Sequence, residues 1–261
     1  MNEDFQYEPF EKNSNANTTH GLDGRFGNVF IRNMGSNIIS KKNDLLFFYD
    51  RIEEFDDLGV SFYKGGSKTY DTNLLVTDKI IDAVFFDDSI YNDYVKDKNI
   101  IYCQYGQTLK IAQYIYNKIR NDDKEQIIEK NIYKDRYNSN NDVFVHVRLG
   151  DIKTLNFRTG YEYYDIALSQ LDFDTGYISS DTIEHIDCQN LIKKYNLQVY
   201  SSNEVETVQF ASTCKKLVLS NGTFSWMMGV FGFFSDIYYP EIKVVWHGDI
   251  YIFPEWTKIC Y

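Results

Sequence analysis

Between Val143 and His247 the chain alternates short apolar runs with amphipathic stretches, and the connections are only a few residues long. This alternation constrains the fold more than any other feature. VFVHVRL (Val143–Leu149), GYISSD (Gly176–Asp181), LQVYS (Leu197–Ser201), KLVLSN (Lys216–Asn221) and KVVWH (Lys243–His247) read as strands. Tyr161–Leu171, Thr182–Tyr195, Glu204–Cys214 and Phe224–Phe234 read as the helices between them. Such an order predicts an α/β fold with a parallel sheet covered on both faces. Ligands of these sheets bind beyond the carboxyl ends of the strands, so polar residues at those ends are the first candidates for a site.

The first half is less regular. Gly21, Gly24 and Gly27 form a glycine-rich turn that feeds a helix carrying Val29, Phe30, Met34, Ile38 and Ile39. LLFFYD (Leu45–Asp50) reads as a buried strand, Lys79–Phe86 and Asn99–Cys103 as short apolar runs, and Gln107–Arg120 as a helix. Asn121–Asn141, charged and rich in Asn, is the best candidate for a linker. The expected organisation is a polar arm over 1–20, a first domain over 21–140, a second over 141–239, and a terminal strand or tail over 240–261 able to pack back on the first domain.

Charge and composition remove several function classes. The 38 acidic and 27 basic residues give a net charge of −11, which repels a phosphate polymer and argues against nucleic-acid binding. An anionic small ligand would need a local cluster of donors. Aromatic residues make up 17% of the chain, too many for a disordered segment. Cys103, Cys188, Cys214 and Cys260 form no CxxC pair, so the expectation is buried free thiols in a reducing compartment and no structural zinc. His20, His185 and His247 lack metal-ligand spacing, and no metal is expected. The N-terminus does not read as a signal peptide, and no run reaches the ~18 apolar residues of a membrane span. A cytoplasmic protein without a membrane span is therefore expected.

Four polar clusters lie at predicted strand ends or turns. In HVRLGD, His146 and Arg148 share the strand face opposite Val143, Val145 and Val147. Arg148 at the end of a buried strand calls for an anion, either a ligand phosphate gripped by the guanidinium fork or an internal partner in Asp151. In SNGTFSW (Ser220–Trp226) a glycine precedes a helix start. Thr223 and Ser225 either add hydroxyls to an anion site there or cap the helix; Trp226 reads as core. GRFGN (Gly24–Asn28) permits close backbone approach but is neither a Walker loop nor GxGxxG. Asp181, after Ser179 and Ser180, is either a ligand contact or an N-cap. No GxSxG elbow is present, which disfavours a hydrolase of that type.

Taken in order, GRFGN, HVRLGD, the strand ending in Ser180–Asp181, and Cys214 followed by SNGTFSW resemble the α-1,2-fucosyltransferase family and related inverting fucosyltransferases of nodulation, core and protein-O type. The resemblance covers roughly residues 21–235. It implies a GT-B-like fold, two Rossmann-like domains with parallel sheets facing a central cleft, the nucleotide-sugar donor in the C-terminal half. It also implies metal-independent, inverting transfer of a sugar, GDP-fucose being the usual donor, to a glycan hydroxyl. Arg148 matches the motif arginine that grips the donor diphosphate, and His146 and Asp151 match the other fixed positions of that motif; these three are the candidate catalytic residues. Thr223 and Ser225 match the helix start near the β-phosphate, and Gly27 and Asn28 the first loop facing the donor. Asp181 and Asn221 complete the candidate donor-binding set. The second motif arginine is Leu149 here, and Thr207, beside Glu206, stands where an Asp that reads guanine is expected, so another nucleotide sugar remains open as donor. His20, Asp23 and Glu162 are candidates for a base. The alternative function is a catalytically silent nucleotide-sugar or glycan-binding module on the same fold.

Overall fold

The computed structural model describes residues 6–9, 25–44, 49–64, 66, 70, 72–82, 86, 98–102, 105–150, 159–242 and 249–261. The chain divides into two units, Met1–Asp56 with Val60–Asn117, and Asp57–Gly59 with Lys118–Tyr261.

In the first unit, β1 (Gln6–Pro9), α1 (Phe26–Asn43), α2 (Ile52–Asp57), β2 (Thr72–Val76), β3 (Asn99–Tyr102) and α3 (Leu109–Asn117) follow in order. The sheet order is β1-β2-β3, with β1 antiparallel and β3 parallel to β2. Two expectations change. Gln6–Pro9 lies inside the stretch read as an arm yet forms an edge strand, and the sheet it joins is mixed rather than parallel throughout. Backbone pairing supplies a place for a polar segment that side-chain pattern alone does not reveal. The run read as a strand at Leu45–Asp50 falls largely outside the described residues, and Tyr49 and Asp50 are not in a strand.

Helix α1 is buried around nearly its whole circumference, polar residues included. Several of its buried polar groups are met by the segment that follows. The Asn33 side chain donates to the Asp50 carbonyl at 2.7 Å, and Asn37 accepts the Tyr63 N–H at 2.7 Å. Arg32, 3% exposed, pairs with Asp50 at 2.5 Å. A buried guanidinium without such a partner would be costly.

The second unit contains α4 (Lys124–Lys130), β4 (Val143–Val147), α5 (Tyr161–Ser169), β5 (Gly176–Ser180), α6 (Ile186–Tyr195), β6 (Gln198–Val199), α7 (Glu204–Thr213), β7 (Lys216–Val218), α8 (Thr223–Phe231), β8 (Asp236–Pro240) and β9 (Thr257–Ile259). All six strands pair in parallel, in the order β6-β5-β4-β7-β8-β9. Counted from the unit's own first strand, this is 3-2-1-4-5-6, the order of a doubly wound nucleotide-binding sheet. The direction of winding reverses between β4 and β7.

Strand alternation sorts the β4 side chains. Val143, Val145 and Val147 pack with Tyr163, Tyr164 and Leu168 of α5 and with Leu191 of α6. Phe144 turns the other way, edge-on to Phe210 of α7 at 6.1 Å. Burial of each such side chain is worth about 1.5–3 kcal/mol, so both faces hold β4 centrally. Trp226 in α8 is fully buried and its indole N–H donates to the Ile250 carbonyl at 2.6 Å, in agreement with its reading as core.

The expected linker over Asn121–Asn141 is part of this unit. It contains α4 and a single 3₁₀ turn at Lys134–Arg136, and Asn131 is buried. The Asn131 amide donates to the Gln209 carbonyl and the Tyr137 hydroxyl, each at 2.9 Å. Asn-rich composition here serves hydrogen bonding to α7 rather than chain flexibility. The expected tail also has another role. Lys243–His247 lies outside the described residues, but β9 adds the last strand to the parallel sheet of this unit. Cys188 and Cys214 are buried free thiols as expected; Cys260 is exposed, and Cys103 lies outside the described residues. No described helix is long and apolar enough to cross a membrane.

Candidate functional site at the sheet switch point

The reversal of winding leaves the carboxyl ends of β4 and β7 side by side, and the residues after them meet. His146, the fourth residue of β4, is buried, and its Nδ1 lies 2.6 Å from Ser225 Oγ in the first turn of α8. Ser225 Oγ also accepts the backbone N–H of Ser220 at 2.8 Å. One step further, the Arg148 N–H donates to Ser220 Oγ at 3.3 Å. Phe224 sets its ring edge-on to His146, with centroids 5.4 Å apart. The two strand ends are thus tied together through hydroxyl groups.

Gly222 is the N-cap of α8, with φ at +144°. A Cβ at this position would collide with the Arg148 guanidinium. Glycine is required twice over, for the backbone angle and for the close approach. The cation of Arg148 therefore rests against the N-terminus of a helix, which itself carries partial positive charge. An anion at this point would meet both the guanidinium fork and the first-turn amides.

Tyr251 supports the turn from below. Its hydroxyl is 2.7 Å from the Ser220 carbonyl and 3.0 Å from that of Gly222, and accepts the Gly222 N–H at 3.3 Å. Burial pushes the phenol well above its ordinary titration range, with Arg148 opposing, so the hydroxyl keeps its proton. Sequence reading missed Tyr251, because it sits in a segment with no motif.

Of the two readings of Asp181, the structure bears on the N-cap. Asp181 follows β5, and its Oδ1 accepts the N–H of Leu149 at 3.0 Å and of Gly150 at 3.1 Å. A Cβ on Gly150 would stand 2.7 Å from Asp181 Oδ2. Asp181 thus fixes the turn that carries Arg148 out of β4, and it is not an N-cap: His185 fills that position on α6, accepting the Asp187 N–H at 3.2 Å.

The remaining expected residues sort as follows. Thr223 is buried at the first position of α8, and the Asn221 N–H donates to Thr159 Oγ1 at 3.3 Å. Ser225 is 1% exposed and committed to His146 and Ser220, so it orders the site from within rather than meeting a ligand directly. Gly27 and Asn28 belong to the first unit and lie in the opening turn of α1, not in a loop; Asn28 Oδ1 accepts from the Gln107 amide at 3.3 Å. Asp151, His20 and Asp23 lie outside the described residues, and Glu162 is exposed near the start of α5. Leu149 is fully buried in the core below the turn. Among the described residues, no group of three or more His, Cys, Asp or Glu side chains could hold a metal ion.

No family model, curated protein or solved structure matches the chain.

Proposed function

We propose that the second unit binds the diphosphate of a nucleotide sugar at the β4–β7 switch point, and that the protein is an inverting, metal-independent glycosyltransferase with GDP-fucose as its leading donor. The observation that carries this proposal is Arg148 held against the N-terminus of α8. Both features favour an anion, and both stand where doubly wound sheets take nucleotides. The resemblance of the sequence motifs to inverting fucosyltransferases narrows the anion to a sugar nucleotide. In this scheme the first unit takes the acceptor-side role of a GT-B enzyme, and the protein works in the cytoplasm.

The chemistry follows from charge. An acceptor hydroxyl oxygen forms a bond to the anomeric carbon while the bond from that carbon to the β-phosphate oxygen breaks. The bonding electrons leave on the diphosphate, and the acceptor proton goes to a base. Arg148 and the first-turn amides of α8 would meet the developing negative charge; a preorganised donor of this kind is worth about 3–4 kcal/mol. Ser225 and Asp181 would act by holding that donor set in place.

The burial of Leu149 favours a second possibility. The position of the second motif arginine contributes to the core and no charge to the site, as in a binding module without turnover. Thermal-shift titration with GDP-, UDP-, dTDP- and CMP-sugars tests binding, since a ligand of the native state raises Tm. A rise with GDP-fucose that disappears in Arg148→Ala, together with donor turnover unaffected by EDTA, is the expected result. Binding without turnover over a range of glycan acceptors would select the silent module; no shift with any nucleotide sugar would overturn both.

A further inference from the structure

The Ser225 hydroxyl fixes where the proton of His146 resides. A hydroxyl offers one proton and two lone pairs. The Ser220 N–H occupies one lone pair of Ser225 Oγ at 2.8 Å, and His146 Nδ1 lies 2.6 Å from the same oxygen. Ser225 is 1% exposed and Ser220 is fully buried, so solvent supplies no substitute partner. Two arrangements are possible. With a proton on Nδ1, that N–H takes the second lone pair, and the hydroxyl proton is left buried without an acceptor. With Nδ1 bare, the hydroxyl donates to it, and the hydroxyl, Nδ1 and the Ser220 N–H are all paired. A buried donor left unpaired is the costlier outcome.

We infer that Ser225 holds His146 as the neutral imidazole with its proton on Nε2. His146 then presents an N–H donor on that side, not a lone pair that could remove a proton. The edge-on contact with Phe224 restrains rotation of the ring, and the short bond to Ser225 selects the tautomer. Resting on the proposed glycosyl transfer, this assigns His146 as a neutral hydrogen-bond donor beside Arg148, and Ser225 as the residue that positions it. A protonated Nε2 cannot serve as the base that accepts the acceptor's proton.

Imidazole nitrogen NMR on the full chain with labelled histidine tests the tautomer without any nucleotide. The chain has four histidines, and His146→Gln identifies the resonances of the one in question. At about pH 8, above the ordinary imidazole titration near 6.5, Nδ1 should resonate as an unprotonated nitrogen and Nε2 as a protonated one. Ser225→Ala should bring the two shifts toward each other, and Ser225→Thr should keep them apart. A wild-type His146 protonated on Nδ1 overturns the inference, whether or not the variants fold. The functional half has its own readout. A donor role leaves His146→Gln, which keeps a side-chain N–H, at least tenfold more active in transfer than His146→Ala. Equal loss in both would overturn the donor role while the NMR result stands. Absence of any nucleotide binding would instead defeat the proposed function and leave the tautomer assignment intact.

Discussion

The guanidinium of Arg148 lies so close to the α-carbon of Gly222 that a methyl group there would overlap it. Gly222→Ala should therefore displace Arg148 and also strain a backbone whose φ is +144°. Strain of this type costs about 1–3 kcal/mol, and each 1 kcal/mol lowers Tm by roughly 2–4 °C in a chain of this size. The affinity for the nucleotide should fall more than stability does, by at least tenfold. Calorimetry of nucleotide binding beside a thermal melt would show the two effects separately, and unchanged affinity would mean that the Arg148–Gly222 contact does not serve the ligand.

Asp181 and Gly150 form a second such pair, with the carboxylate gathering the N–H groups of Leu149 and Gly150. Hydrogen bonds to a charged group are worth about 1.5–3 kcal/mol. Asp181→Ala should lose stability in that range, whereas Asp181→Asn keeps an accepting oxygen and should lose less than half as much. Urea denaturation of the two variants measures the difference. Nucleotide affinity should follow the same rank, since the turn carries Arg148. Equal effects of Ala and Asn would mean that the carboxylate oxygens do not organise the turn.

The second half of the fold was legible because its sheet is parallel and buried, so apolar runs and helical spacing report it directly. Val143–Val147, Gly176–Ser180, Glu204–Thr213 and Thr223–Phe231 lie within about three residues of their expected ends. Asp236–Pro240 and Thr257–Ile259 escaped notice: one is exposed at its start and rich in Tyr, the other carries Lys and Thr. Among the site residues, the sequence exposed Arg148, Gly222 and Ser225 through strand ends and a glycine before a helix. It could not show that Asp181 answers backbone N–H groups from a neighbouring strand, or that Tyr251 reaches the turn from a segment beyond β8. Those contacts join residues that no local pattern connects. The linker reading at Asn121–Asn141 failed for a related reason, because composition does not tell a solvated Asn from Asn131, whose amide is spent on α7.

Tyr251→Phe tests the support beneath the Gly222 turn. It removes one hydroxyl and leaves the packing against Tyr239, whose ring is stacked on it at 5.3 Å, unchanged. The Ser220 carbonyl then loses its partner at 2.7 Å in a buried setting, at a cost of about 1–3 kcal/mol. Chemical denaturation should register that loss, and nucleotide affinity should fall several-fold because the turn is less well held. A phenylalanine variant as stable as the parent would show that the hydroxyl is dispensable to the turn.

Burial pushes the Cys214 thiol up to about 12, and Arg136 beside it opposes only part of the shift. At about pH 8 its thiolate is roughly one part in ten thousand, far too little for alkylation of a buried sulfur. Iodoacetamide should accordingly modify Cys260, which is exposed, and spare Cys188 and Cys214 until the protein is unfolded. Peptide mass mapping before and after denaturation reads this directly. The same shift has a consequence for stability. An unfolded Cys214 loses its proton near the ordinary thiol value, about 8.5, whereas the folded one retains it to about 12. Between those limits the unfolded state binds fewer protons, so stability declines as pH rises. Cys214→Ala should remove up to one proton from that slope, about 1.4 kcal/mol per pH unit, once its own cavity cost is measured at neutral pH. Denaturation midpoints of both proteins from pH 8 to 11 would reveal the difference, and parallel curves would mean that the folded thiol titrates at its ordinary value.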